Sequence, residues 1–266
     1  MTRVVKIEKT GGPEVLKFET IEIGDPGPEE VLIEHKAIGL NFIDTYHRSG
    51  LYPIELPSVI GAEGAGIIKE IGSKVKGFSV GDNVAYAGAP LGSYSTERNY
   101  PIKNLVKVPR EINLDIIATL MIKGLTTFYL LHKTFPVSAG ETVLFHAAAG
   151  GVGQIFCQWA KSLDCKIIGT VGSDEKINIA KKKGCDFVIN YSKKSFSKKD
   201  DALHFFDSKN PSELLFHTDP HTIAIHTRHT LRNAPHLLPY IIHMFYADKI
   251  KKLHQQFSKI GKPITY

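Results

Sequence analysis

An α/β protein with a β-rich first part is predicted by three features of this 266-residue chain. Short β-branched runs separated by Gly, Pro and Asp fill residues 1–113 and predict many short strands, as in a partly closed β-barrel. Strand and helix patterns alternate over residues 114–197, which predicts parallel βαβ units. Residues 198–266 show no such alternation, are rich in histidine and form a third segment.

In the first segment Val4–Ile7, Val31–His35, Ile67–Ile71, Val84–Tyr86 and Leu105–Val108 alternate or cluster apolar side chains as strands do. Turns are signalled by Gly11-Gly12-Pro13, by Asp25-Pro26-Gly27-Pro28, and by Lys76-Gly77 ahead of Gly81-Asp82. Two clusters carry more than architecture. Asn41 to Tyr52 packs amide, carboxylate, phenol and guanidinium groups into one loop–helix segment, although any one of them also suits the surface of a short helix. Gly61-Ala62-Glu63-Gly64-Ala65-Gly66 sets a carboxyl group in a Gly-rich strand approach, where it could be a buried acid bonded to backbone amides.

In the second segment Leu114–Leu120 and Gly124–His132 read as helices. Val143-Leu144-Phe145 is a short apolar strand, followed by a turn of small residues and an apolar helix from about Gln154. Its A-x-G-x-x-G pattern (Ala148, Gly150, Gly153) suits a dinucleotide site. Small residues admit a pyrophosphate close to the backbone, and the free N–H groups of a helix start favour its charge. A plain strand–helix connection has the same composition. Lys166–Val171 is the next strand. An NAD site wants an acid at its end, whereas this strand ends in Val171-Gly172-Ser173, with Asp174, Glu175 and Lys176 one step later. Lys176 can serve a 2′-phosphate, so NADPH is favoured over NADH. The two acids count against that, although in a first helical turn they also favour the dipole, and Lys176 is equally an exposed helical lysine. A helix Glu175–Lys183 and a strand Asp186–Tyr191 complete a third repeat, with Tyr191 at the strand end where nucleotides bind or as an ordinary aromatic.

Composition, with 42% hydrophobic and 23% charged residues, is that of an ordinary soluble globular protein. The longest apolar runs fall far short of the ~20 residues of a membrane span, and the N-terminus shows no signal segment. Cys157, Cys165 and Cys185 form no C-x-x-C pair, as expected of buried thiols in a reducing cytosol. The net charge of +6 comes largely from Lys181-Lys182-Lys183 and Lys193, Lys194, Lys198 and Lys199. No aromatics interleave these lysines, so a solvated basic face is expected and not a nucleic-acid site.

The Asn41–Tyr52 run, the G-x-E-x-x-G block at Gly61–Gly66, the Gly81-Asp82-x-Val84 turn and Phe145–Gly153 together resemble the medium-chain dehydrogenase/reductases, in the quinone oxidoreductase (zeta-crystallin-like) branch. The resemblance runs from residue 1 to about 197. It implies a GroES-like β-barrel domain over 1–113 and the N-terminal half of a Rossmann-type parallel α/β domain over 114–197, truncated relative to the family. It implies zinc-independent reduction of a quinone, or a similar electron-poor carbonyl compound, by NADPH. Asn41, Asp44, Tyr46 and Tyr52 would be catalytic. Phe42, Ile43 and Thr45 would contact the cofactor, with Thr126 and Tyr129 at its nicotinamide end. Ala149, Gly150, Gly151, Val152 and Gly153 would cradle the pyrophosphate. Gly172, Ser173, Asp174, Glu175 and Lys176 would receive the adenosine phosphate, and Tyr191 the adenine.

Zinc enzymes of this superfamily place a Cys in the first cluster and a His before the Glu of the second. Here those places hold Asn41 or its neighbours and Ala62, and no cysteine precedes residue 157, so no metal is expected. Relatives commonly dimerise through a sheet edge that this chain is expected to lack. Residues 198–266 lack the family's Ser-Val-Gly turn and Gly-Asn loop. They hold His204, His217, His221, His226, His229, His236, His243 and His254 in no metal-binding spacing, and a helical apolar stripe from Ile242 to Ile260. Either they are foreign sequence, or an extension covering the unfinished sheet. A rival function, a non-catalytic relative that binds nucleotide weakly or not at all, rests on that missing half-domain.

Overall fold

The computed structural model describes residues 1–193 and the backbone of Leu214–Phe216. Two units divide the chain, Met1–Leu125 and Thr126–Tyr266. The lysines from 194 on, the tail histidines and the 242–260 stripe lie outside the described residues.

In the first unit, β1 (Thr2–Ile7) pairs with β2 (Lys17–Ile21) and β4 (Ser58–Val59) in a three-stranded antiparallel sheet. The larger sheet is formed by β3 (Glu30–Ile38), β5 (Glu63–Ile71), β6 (Asn83–Ala87), β7 (Glu97–Pro101) and β8 (Leu105–Lys107) in the order β7-β3-β5-β6-β8, all antiparallel. Buried Val31 and Ile33 alternate along β3 and meet Ile68, Val84, Tyr86 and Tyr100 in the core. Register shifts interrupt the β3–β5 pairing at Leu32/Ile33, opposite Glu70 and Ile68, and at His35/Ala37, opposite Gly66 and Ala65. The helix α1 (Phe42–Ser49) follows β3, and Gly50 ends it in the left-handed conformation, φ 81°.

The helix α2 (Leu114–Tyr129) crosses the division between the units. Two helices were expected here. Gly124 does not break the pattern, because strong helix formers (Leu120, Met121, Lys123, Leu125) flank it and a lone glycine costs a helix only about 1 kcal/mol. A π-type turn, Leu130–Thr134, continues it. This 21-residue stretch is long and apolar enough, by length and composition, to cross a membrane. Its apolar runs are interrupted by Asp115, Lys123 and Lys133. Such a stretch equally describes a core helix, and Ala118, Leu130 and Leu131 are buried in the cores of the two units.

The second unit contains β9 (Thr142–Phe145), α3 (Gly151–Ser162), β10 (Lys166–Val171), α4 (Asp174–Lys182) and β11 (Phe187–Asn190). Buried Phe145 and Phe156 stack at 4.1 Å between β9 and α3. The strands run parallel in the order β11-β10-β9-β12, where β12 is Leu214–Phe216. β12 lies in the 198–266 segment, which the sequence leaves open between foreign sequence and an extension over the sheet. Leu214-Leu215-Phe216 is a short apolar run, which is all the signal the sequence holds for it.

Candidate functional site

In the first unit the site is built on Asn41, which precedes α1. Its backbone N–H donates to Asp44 Oδ2 at 2.9 Å, satisfying one orphan amide of the helix start. Its side chain joins two other groups. Nδ2 donates to Glu63 Oε2 at 2.6 Å, and Oδ1 accepts from Lys123 Nζ at 3.0 Å. Glu63 is wholly buried on β5. Its other oxygen accepts the backbone N–H of Ile122 at 2.8 Å, and Lys123 Nζ lies 3.7 Å from Oε2. Glu63 thus ties β5, the α1 start and α2 together, with one cation beside it. The expected buried acid is present. Lys123, its counter-charge, was missed, and only its place three residues before Thr126 hinted at it.

Asp44 is buried, 4% exposed, and its Oδ2 also accepts the Tyr94 phenol at 2.9 Å. Burial, and then the charge of Asp44, push the Tyr94 phenol far above its ordinary range. Asp44 is therefore packed under α1, and its Oδ1 has no hydrogen-bond partner. Burial draws the imidazole of His47, one turn along α1, down from its usual value, with Asp44 opposing the shift. Tyr46 and Tyr52 come together with ring centres 5.3 Å apart, and Phe42 packs on Tyr46 edge-on at 5.3 Å. Phe42 is 74% exposed. The Thr45 hydroxyl bonds its own helix at the Phe42 carbonyl, 2.7 Å. Ile43 is half-buried on the same helix.

In the second unit the turn after β9 runs through Ala147, which adopts φ 57° without being glycine. Gly150 closes the turn, donating its N–H to the Ala147 carbonyl at 2.8 Å, and caps α3 with no side chain. The first bond within α3 is Gln154 N–H to the Gly150 carbonyl, 2.9 Å. The amides of Gly151, Val152 and Gly153 are thus the free donors of the helix start. Ala149 is half-buried beside them. A Cβ on Gly153 would lie 2.5 Å from the Ala147 carbonyl oxygen, so the turn packs directly onto the helix backbone. Thr126 is half-buried, and Tyr129 packs on the core around Phe145, where burial raises its phenol.

At the end of β10, Tyr191 lies over Gly172, where an added Cβ would stand 2.7 Å from its hydroxyl. His146 stacks on Tyr191 at 5.3 Å and holds Thr170 Oγ1 through Nδ1 at 2.7 Å. The sequence reading had not singled out His146. Ser173 caps α4 by position, and its hydroxyl makes no cap bond. Asp174 Oδ1 accepts from Asn190 at 2.7 Å, and Oδ2 pairs with Lys193. These bonds, Lys193 first, hold its carboxyl below the usual range. Glu175 and Lys176 are exposed on the first turn of α4. Among the described residues, no group of three or more His, Cys, Asp or Glu side chains could hold a metal ion.

Two family models match the chain, "Alcohol dehydrogenase GroES-like domain" over residues 27–110 and "Zinc-binding dehydrogenase" over 151–208. The second match extends the resemblance beyond residue 197. The quinone oxidoreductase of Pseudomonas aeruginosa is 49% identical over 210 residues, 79% of this chain and 64% of that protein. The 2-haloacrylate reductase of a Burkholderia species is 46% identical over 203 residues, 74% of this chain and 61% of that protein. The crystal structure of Escherichia coli quinone oxidoreductase complexed with NADPH superimposes with a TM-score of 0.70 at 49% identity, covering 72% of this chain and 59% of that one. The chain thus spans 61–64% of the length of these two curated relatives.

Proposed function

Because this chain belongs to the quinone oxidoreductase branch of the medium-chain dehydrogenase/reductases, we propose that it is an NADPH-dependent reductase of quinones or similarly electron-poor acceptors. The observation that carries the reading is the turn from β9 into α3, where Gly150 caps the helix without a side chain and the amides of Gly151, Val152 and Gly153 begin it. NADPH would supply the hydride. The chain's residues would bind and orient. Gly150–Gly153 suit a pyrophosphate, and the stacked Tyr191 and His146 offer a flat surface to adenine. Lys176 and the Ser173 hydroxyl, which makes no cap bond, suit a 2′-phosphate, while Lys193 offsets the charge of nearby Asp174 and Asn190 donates a hydrogen bond to it. Tyr46 and Tyr52 would meet the acceptor, with Asn41 held by Glu63 and Lys123 and Asp44 supporting α1 from beneath. The three cysteines are free thiols, which fits a reducing, cytosolic setting.

Calorimetric titration with NADPH, and NADH as control, tests the reading. Saturable binding that favours NADPH is expected, and Lys176→Ala should weaken NADPH about tenfold while leaving NADH nearly unchanged. Equal losses for both cofactors would remove the case for 2′-phosphate recognition. Quinone turnover should survive a chelator, and loss of turnover would show that a metal takes part. A second reading is a non-catalytic member of the branch. A folded chain that binds neither nucleotide would establish it.

A further inference from the structure

Two of the three thiols face each other. Cys157 on α3 and Cys185 in the turn before β11 place their sulfurs 3.4 Å apart, and both side chains are buried, 0% and 6% exposed. They come from elements packed on the same face of the parallel sheet, and Gly169 of β10 lies against them: a Cβ there would stand 2.7 Å from Cys185 Sγ and from the Cβ of Ala148. Cys165 is equally buried, but its thiol faces the Ser138 carbonyl at 3.6 Å and no other sulfur. We propose that Cys157 and Cys185 form a modification site, an intramolecular disulfide made reversibly by peroxide.

The chemistry suits the setting. The two thiols share one hydrogen bond, so when one of them ionises the other stabilises the thiolate by donating to it. Cys185 is the less buried of the two, so it is the attacking sulfur. Its thiolate displaces hydroxide from hydrogen peroxide and becomes a sulfenic acid, the hydroxide taking up the proton the thiol has released. Cys157 then attacks that sulfur, its own proton leaves with the hydroxyl as a second water, and the S–S bond forms. Two thiols are oxidised and one peroxide is reduced to two waters. For the bond to form, the sulfurs must close from 3.4 Å to about 2 Å. The bond would join α3 to the start of β11 and enclose β10 and α4, the segment bearing Gly172 to Lys176.

The test is peptide mapping of the purified chain after mild hydrogen peroxide, with free thiols alkylated under denaturing conditions. A cross-linked peptide holding Cys157 and Cys185 is expected, lighter by the two thiol hydrogens and reversed by dithiothreitol, with Cys165 still alkylated. Cys165→Ser should lose both remaining thiols, and Cys185→Ser should leave Cys157 alkylatable. Should Cys185→Ser fail to fold, the first two measurements decide the matter alone. Persistence of both thiols, their conversion to sulfinic acids without a cross-link, or links between chains would overturn the proposal. None of these readouts depends on nucleotide binding or turnover.

Discussion

Replacing Glu63 by glutamine exchanges one oxygen for an NH2 and leaves the size unchanged. Both carboxyl oxygens accept, one from Asn41 and one from the Ile122 amide, so the new donor must face a donor whichever way it turns. The expected loss is about 1–3 kcal/mol, read from urea unfolding, and an unchanged midpoint would mean that Glu63 is not the junction described. His35 gives a pH-dependent counterpart. Its Nδ1 meets the Ser95 carbonyl and its Nε2 the Tyr86 hydroxyl, each at 2.7 Å, and burial draws its pKa down from 6.5 to about 4. Between those values the unfolded chain binds a proton that the native one refuses. The contribution of His35 is complete above pH 6.5 and drains away as pH falls toward 4, by about 3 kcal/mol in all. A denaturant midpoint that falls across that window in the parent, and less steeply in His35→Gln, is the expected result.

At the scale of elements, Gly153→Ala places a methyl 2.5 Å from the Ala147 carbonyl and 2.7 Å from the Ala148 backbone. Backbone cannot swing aside as a side chain can, so the turn must shift. We expect a stability loss of about 1–3 kcal/mol and at least a tenfold loss of NADPH affinity, measured by calorimetry on the folded variant. The run β9-α3-β10-α4-β11 was legible in the sequence because its apolar strands and small-residue turns are local signals. β7 was not: Glu97-Arg98-Asn99-Tyr100-Pro101 has no β-branched run, and it is a strand because it pairs along β3 at a sheet edge, where a terminal proline is tolerated. Arg98 and Tyr100 still build core there, the guanidinium standing 4.8 Å over the Tyr100 ring. The link between Asn41 and Lys123 was equally illegible, since its members lie 82 positions apart and nothing local joins them.

For the whole molecule, the question is how far the parallel sheet depends on residues beyond the third βα repeat. The backbone of β12 pairs with β9 from Leu214↔Val143 to Phe216↔Phe145, so β9 is an interior strand and not an edge. A chain ending at Lys193 should show faster hydrogen exchange at β9 amides that face β12, while β10, flanked by β9 and β11, keeps its protection. Equal protection in both chains would mean that β12 adds nothing to the sheet.

Storage adds a consequence at Asn41. Slow hydrolysis of its side-chain amide would replace Nδ2 by an oxygen 2.6 Å from Glu63 Oε2. Two carboxyl oxygens that close repel one another, where the amide had donated a hydrogen bond, and Lys123 stands 3.7 Å from Glu63 as a counter-charge. An aged preparation would then be a mixture of two proteins that differ by one heavy atom, the older one lacking the donor that ties the start of α1 to Glu63.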